Sequence, residues 1–322
     1  MKKKTVLTEI KINNSNEELP SFEFKQLNYG SRLLNYLSDC KKKKALISSI
    51  TEEVDAIICC RASATILADI DTKNIKLIQL TSTGYDGVPV ERLKLKGITV
   101  CNLKTVYDIS IAETVVYGLI RYVKRFRNRV NNNTPKLFRH YTCMTELNNK
   151  NVLIMGAGNI GSKIADRLYG LNMRVIGYDV NKDVCGRFEY IIDNKEQLIN
   201  ELQEFDYIIS TLPLVKDTVK FCDKTFFDAM SKTAVFFNIG RNDTVDSMSL
   251  YSALKNNDIG GAIIDTVELL PYPLFNRFRR LKNCLVLPGI ATSSEECNER
   301  VQSRIIANLT DFFDNNLCQD EI

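Results

Sequence analysis

Short apolar, β-branched runs alternate with helix-period segments along nearly the whole chain. The runs 56–60, 75–80, 151–155, 174–178, 207–210, 234–238, 261–264 and 284–287 each read as a buried strand, with helices between them. Consecutive residues in these runs are apolar, so both faces of each strand are expected to be covered. Parallel sheets joined by crossover helices satisfy that requirement. The segment 5–16 alternates apolar with charged residues and predicts one more strand. Helical spacing runs through 111–126, and again through 295–316 at Val301, Ile305, Ile306, Leu309, Phe312 and Phe313. The polar stretch 128–149, with its Asn131-Asn132-Asn133-Thr134-Pro135 core, reads as a linker-like insertion. The expected fold is α/β with two doubly wound parallel sheets. A last helix that returns to the first domain makes that domain discontinuous, giving 1–110 plus 293–322 and a second domain over 111–292.

Composition narrows the classes. At 322 residues, 44% hydrophobic and 25% charged, the chain is ordinary globular protein, not disordered or collagenous. A net charge of +4, spread along the chain, does not point to nucleic acid. Lys41 to Lys44 reads as a solvated helix end or loop. Met1-Lys2-Lys3-Lys4 resembles a signal n-region, but no apolar core follows it. No apolar run reaches the ~20 residues of a membrane span. No membrane partner is expected, and the expected location is cytoplasmic. Ten cysteines show no C-x-x-C pair, and His140 is the one histidine of the chain. No metal is expected, and the cysteines are read as reduced and buried.

The strongest chemical signal is NVLIMGAGNIG over 151–161. A strand ends in Gly156-x-Gly158-x-x-Gly161, and the helix-period residues Ile164 and Leu168 follow. The first glycine permits a tight turn, the second lets backbone approach a diphosphate, and the third lets helix and strand pack closely. The helix N-terminus then offers N–H groups and its dipole to the diphosphate. Asn159 and Ile160 open that helix. The next strand, RVIGYD, ends at Asp179, 18 residues after Gly161, where an acid that binds ribose hydroxyls belongs. The plainer alternative is a glycine turn and a capping Asp. Asp179 repels a 2′-phosphate, and neither Val180 nor Asn181 would bind one, which favours NAD over NADP.

From these residues onward the chain resembles the D-isomer-specific 2-hydroxyacid dehydrogenases. The matching blocks are LTSTGYDGVPVERLKLKGITVCN (80–102), Ala112-Glu113, STLPLVKDT (210–218), FFNIGRNDTVD (236–246), GGAIIDTVELLPYP (260–273) and CLVLPGIATSS (284–294). They stand in the family's order. The resemblance implies two Rossmann/flavodoxin-like domains, an active site in the cleft between them, and a homodimer formed largely through the cofactor domain. It implies that Leu212 and Pro213 line the adenosine and nicotinamide ribose side. Ile239, Gly240 and Asp265 would hold the nicotinamide carboxamide, although Asp265 also reads as a strand-end cap. Thr83 and Gly84, in the first block, would meet a small carboxylate substrate. Arg61 would either bind a distal anion of the substrate or be a surface residue.

The chain departs from the family at the catalytic residues. Arg241 stands where the family's carboxylate-binding arginine belongs, and its planar fork suits that task. The family's glutamate position, five residues after Asp265, is Leu270, and Glu268 lies two residues early. The family's histidine position, after Pro288, is Gly289. The usual proton relay is therefore absent. Lys104 and Tyr107 also differ from the family's common residues. Tyr107 is a candidate general acid, with Lys104 or the cofactor's ring lowering its pKa; both equally suit a mere reshaping of the pocket. His140 is a linker residue or a donor reaching a partner subunit. Two functions remain open: an NAD(H)-dependent oxidoreductase of a small carboxylate, or of an imine that needs less proton help, with a non-standard proton donor; or an NAD(H)-binding pseudoenzyme with a regulatory or scaffold role.

Overall fold

A computed structural model describes residues 3–12, 21–27, 53–72, 74–124, 144–265, 277–287 and 289–322. By their contacts these residues form two compact units, Met1–Val106 with Glu295–Ile322, and Tyr107–Ser294. Each of the eight apolar runs contains a strand.

In the first unit the strands are β1 (Lys4–Thr8), β2 (Phe22–Gln26), β3 (Ala56–Cys59), β4 (Leu77–Leu80) and β5 (Thr99–Cys101). They form one sheet in the order β2-β1-β3-β4-β5, and every adjacent pair is parallel. All residues of β3 and β4 are buried, as their unbroken apolarity requires. Helices α1 (Arg61–Ala68) and α2 (Val90–Leu95) follow β3 and β4. The strand expected over 5–16 is shorter than its pattern. It stops at Thr8, whose hydroxyl donates to Ile10 O and accepts from Ile10 N, at 2.7 and 3.2 Å, and this local turn ends the extended run.

The second unit begins with α3 (Asp108–Val123) and continues through β6 (Asn151–Met155), α4 (Asn159–Gly170), β7 (Arg174–Tyr178), β8 (Ile191–Ile192), α5 (Lys195–Glu201), β9 (Tyr207–Ser210), α6 (Lys224–Ala229), β10 (Val235–Asn238), α7 (Ser247–Asn256), β11 (Gly261–Ile264) and β12 (Cys284–Val286). The sheet order is β12-β11-β10-β9-β6-β7-β8, parallel throughout. The chain starts at the middle of this sheet, runs out to β8, then returns to β9 on the other side of β6. The crevice beyond the carboxyl ends of β6 and β9 is therefore the topological switch point, where open α/β sheets bind ligands. One core layer is built around Phe226, Phe227 and Phe236, whose rings meet edge to face at 5.3–6.0 Å. The opposite layer is closed by α3. It presents Ile111, Val115, Leu119 and Val123 on one face, and a Cβ at its Gly118 would lie 2.8 Å from the Phe237 ring.

The last helix, α8 (Glu295–Asn315), belongs to the first unit and buries Cys297, Val301, Ile305, Asn308 and Leu309. After it the chain returns along β5: Asn102 N donates to Asp320 O at 3.1 Å and Ile322 N to Val100 O at 3.1 Å. This antiparallel approach brings Cys318 to Cys101, and the two form a disulfide. The expectation that all cysteines are reduced is corrected here. Nothing in the spacing of two residues 217 apart announces the return of the tail. Cys185 is exposed and Cys60 half-buried, so burial of all cysteines is corrected as well. Lys41 to Lys44 lie outside the described residues. No described helix is long and apolar enough to cross a membrane.

The disulfide gives a direct test. Denatured protein alkylated after reduction should carry two more modified cysteines than protein alkylated without it, at Cys101 and Cys318. Equal modification at both positions would return them to the free thiols that composition suggests.

Candidate active site

The glycine turn lies at the switch point of the second unit. Gly156 leaves β6 with φ +92°, a backbone region that favours glycine. A Cβ there would lie 2.6 Å from Thr211 Oγ1, so the position is crowded from β9 as well. At Gly161 a Cβ would lie only 2.0 Å from Gly156 O. The first turn of α4 can pack against its own turn because that atom is missing. Gly158, by contrast, has nothing within 4 Å of where its Cβ would be. It is the N-cap of α4, makes no side-chain cap, and is exposed together with Asn159. The helix thus opens on uncapped N–H groups beneath open space, with no acidic residue in its first turn. A diphosphate fits such a cradle.

Two hydroxyls that the motif does not reveal hold the turn. Thr211 Oγ1 lies 2.8 Å from Gly156 O and 3.1 Å from Met155 O, tying the end of β9 to the end of β6. Ser162 Oγ lies 2.8 Å from Gly158 O and also reaches Cys185 O, fastening the loop after β7 to α4. Asp179 ends β7, half-buried. Its Oδ2 accepts from Ala157 N at 2.8 Å, inside the glycine turn, and its Oδ1 accepts from Asn181 N at 3.0 Å. A carboxylate offers about four acceptor directions. Two are used, and the others remain for hydroxyl donors. The cations of this loop are engaged: Lys182 pairs with Asp193 at 2.7 Å, and Arg187 lies 4.8 Å over the Tyr169 ring. After β9, Leu212 is buried and Pro213 exposed. A Cβ at Gly240 would lie 2.8 Å from Leu212 O, so the two loops expected to flank a cofactor are packed together.

Arg241 leaves the β10 turn after Ile239 and Gly240. Asn238, buried to 2% exposure, braces that turn from both ends. Its Oδ1 accepts from Gly240 N at 3.1 Å, and its Nδ2 donates to Arg241 O at 3.3 Å. The buried Thr244 hydroxyl donates to the same carbonyl at 2.7 Å. The Arg241 side chain is half-buried, and burial lowers its pKa from the usual arginine value. Arginine starts so high that it stays charged at neutral pH.

Asp265 ends β11 at 7% exposure. Its Oδ1 accepts from Ile290 N at 3.0 Å, and its carbonyl accepts from Gly289 N at 3.1 Å. Burial pushes the carboxyl pKa up, and the backbone N–H groups of 289–291 oppose that shift. Asp265 therefore caps the segment that follows β12. Gly289, where the resemblance places the family's histidine, has φ +69°. A residue with a side chain is strained in that conformation. The first turn of α3 joins the same group: Ser110 Oγ donates to Ala291 O at 2.8 Å, and Tyr107 is the N-cap of α3, half-buried against the core. Glu268, Leu270, Pro271, Pro288 and His140 lie outside the described residues.

The remaining candidates lie in the first unit. Arg61 opens α1 and is ion-paired with Asp86, so its charge is compensated within the chain. Thr83 Oγ1 donates to Leu103 O at 2.6 Å, and Ser82 Oγ donates to Gly84 O at 2.8 Å, which gives the loop after β4 a defined shape. Lys104 Nζ donates to Glu321 O at 3.3 Å on the C-terminal tail. Thr105 holds φ +59°, a strained conformation for a β-branched residue. Such strain costs ~1–3 kcal/mol and collects at functional sites. Val106 O beside it accepts from Arg300 Nε at 3.0 Å.

Known proteins match this arrangement. The model of the D-isomer specific 2-hydroxyacid dehydrogenase NAD binding domain matches residues 114–291, within the second unit. The chain is 28% identical to glyoxylate reductase of Thermofilum pendens over 287 residues, covering 85% of this chain and 79% of that one. It is 29% identical to glyoxylate reductase/hydroxypyruvate reductase of Mus musculus over 235 residues, covering 71% of each. Among solved structures, the NADPH-dependent glyoxylate/hydroxypyruvate reductase of Sinorhizobium meliloti, in complex with NADP and malonate, shares the fold. Its TM-score is 0.82 at 21% identity, over 100% of this chain and 97% of that one. An acyclic imino acid reductase in complex with NADPH and D-Arg gives a TM-score of 0.79 at 21% identity, over 99% of each chain. With a family match that spans more than half of its residues and a glycine turn at the switch point of its larger sheet, the chain belongs to the D-isomer specific 2-hydroxyacid dehydrogenases.

Proposed function

We propose that this protein is an NAD(H)-dependent oxidoreductase of a small carboxylate of the 2-keto or 2-hydroxy acid class, with a proton donor other than the family's histidine. Membership of the family makes it a nicotinamide-dependent enzyme acting on a CH–OH group. The choice of NAD and the identity of the acid are the proposal. One observation carries it: the open glycine turn at the end of β6 stands beside an Asp179 carboxylate that retains acceptor directions for ribose hydroxyls.

When bound, a nicotinamide cofactor supplies or accepts a hydride. The uncapped N–H groups of Gly158, Asn159 and Ile160 would hold its diphosphate, and Asp179 its adenosine ribose. Leu212 and Pro213 would cover the ribose side. Ile239, Gly240 and Asp265 would meet the carboxamide. Arg241 binds the substrate carboxylate through its planar fork and sets the carbonyl's orientation. Tyr107 donates the proton to the carbonyl oxygen in reduction and takes it back in oxidation. A 2′-phosphate would face the Asp179 charge without a free cation in the adjoining loop, since Lys182 and Arg187 are engaged. The family resemblance also supports a homodimer.

Fluorescence titration tests the cofactor assignment. NADH should bind at least ~10-fold more tightly than NADPH, and Asp179→Ala should narrow the gap. Equal or reversed affinities in the wild type would refute the assignment. Gly161→Ala pushes a Cβ into the Gly156 carbonyl. Overpacking of this kind costs ~1–3 kcal/mol of fold stability, and the displaced helix start should weaken NADH by ~10-fold or more. Gly170→Ala, with open space around it, should leave the affinity unchanged.

Steady-state assays test the chemistry. Glyoxylate, pyruvate, hydroxypyruvate and 2-ketoglutarate should turn over below the ordinary ~1–10³ s⁻¹ range, because Gly289 and Leu270 stand where the resemblance places the family's histidine and glutamate. Tyr107→Phe should lower turnover on the best substrate by ~10²-fold with NADH affinity unchanged. Full activity in Tyr107→Phe would eliminate the phenol as the acid.

A further inference from the structure

The first unit carries a buried polar chain that neither its apolar pattern nor the cofactor site requires. Gln79, in the middle of β4, is fully buried. Its Nε2 donates to Leu80 O and Asn102 O, both at 2.9 Å. Its Oε1 accepts from Asn308 Nδ2 at 2.9 Å, and Asn308 on α8 is also fully buried. Asn308 reaches Asp320 Oδ2 at 3.3 Å, and the Arg304 guanidinium pairs with the same oxygen at 3.1 Å. Asp320, 2% exposed, lies on the C-terminal tail, and its carbonyl accepts from Asn102 N at 3.1 Å. The chain ends at the loop after β4: Asn102 Nδ2 donates to Thr83 O at 2.6 Å, and Leu103 N donates to Ser82 O at 3.2 Å. The disulfide between Cys101 and Cys318 ties the tail to β5 one residue before Asn102.

A buried glutamine, two buried asparagines and a buried aspartate are costly where leucine or methionine would pack, and the Oδ1 atoms of Asn102 and Asn308 have no partner. Apolar replacements of similar shape often stabilise a core, so stability does not explain the network. It does explain a defined loop. The Gln79 and Asn102 amides donate to backbone carbonyls at the end of β4, after β5 and in the loop between β4 and α2, while Asn308 links Gln79 to Asp320 on the tail. From this we propose that Gln79, Asn102, Asn308 and Asp320 are positioning residues, through which α8 and the C-terminal tail hold the Ser82–Gly84 loop in its carboxylate-binding shape. The proposal rests on the reading that Thr83 and Gly84 meet the substrate. It adds that their geometry is set from the far end of the chain, by residues that do not touch substrate.

The test uses the full chain and oxalate as a small carboxylate probe. Hydrogen exchange is followed at residues 81–86, and oxalate affinity is read in the presence of saturating NADH. Gln79→Met and Asn308→Leu keep the volume and remove the donors. Each should speed exchange at 81–86 by ~10-fold or more and weaken oxalate by a similar factor. NADH affinity and exchange in β6 and β9 should stay as in the wild type. Where activity is measurable, KM should rise far more than kcat falls. A lower melting temperature with unchanged exchange at 81–86 would reduce the network to a structural one and overturn the proposal. So would faster exchange with unchanged oxalate affinity. Failure of the wild type itself to bind oxalate would overturn the carboxylate reading beneath it, and is recognisable because it precedes any substitution. Should one variant fail to fold, the other carries the same comparison.

Discussion

The organisation of the larger unit follows from one close approach, that of Gly161 to the Gly156 carbonyl. A Cβ at residue 161 would be 2.0 Å from that oxygen, so α4 can begin where it does only with glycine there. This contact sets the axis of α4 against β6 and points its first N–H groups at open space above Gly158. Thr211 then fixes β9 to the same turn, and Asp179 fixes the end of β7 to it through Ala157 N. Three strand ends are thus assembled around one backbone turn. A helix N-terminus favours an anion by ~0.3–1 kcal/mol at an exposed site and by up to ~2 kcal/mol when partly buried. The glycines contribute by exclusion: they keep side chains out of the volume that a diphosphate needs.

Binding and proton transfer are separable in hydride-transfer chemistry, and the proposed function assigns them to different residues. Arg241 stands where the resemblance places a carboxylate-binding arginine, and Asn238 and Thr244 hold its backbone from two sides. Gly289, where the resemblance places the family's histidine, has φ +69° and is part of a turn organised around Asp265. Restoring a histidine there would put a side chain on a strained backbone. Loss of a general acid usually costs ~10²–10⁴-fold in rate, while the geometry of hydride transfer depends on the cofactor cradle and the carboxylate anchor. The proposed proton donor rests on this separation: Arg241 would anchor the carboxylate while a group other than the family's histidine gives the proton.

Much of this fold was legible because parallel strands covered on both faces leave unbroken apolar runs. The strands from β3 to β12 that lie in such runs appear within two residues of the expected ends. The glycine spacing and the acid at 179 were legible because each glycine answers a steric demand that no other residue meets. Where the partner is remote in sequence, the pattern fell silent. Gln79 sits in LIQL and reads as one polar letter in an apolar run, since its partner Asn308 lies on α8. The Cys101–Cys318 disulfide depends on a tail that turns back after that helix. Thr211 and Ser162 look like ordinary hydroxyls until the crossover brings them to the glycine carbonyls. The short strands β2, β5 and β8 carry little pattern of their own, and pairing with a neighbour defines them. The conformation of Gly289 could not be read from the absence of a histidine, because that absence says nothing of φ.

A crystal structure of the protein with NADH and oxalate would test the assignment of the cradle and the anchor together. The diphosphate should lie on the N–H groups that open α4, the adenosine ribose hydroxyls should donate to Asp179, and oxalate should lie on the Arg241 guanidinium. A diphosphate bound elsewhere, a ribose turned away from Asp179, or an oxalate remote from Arg241 would contradict it.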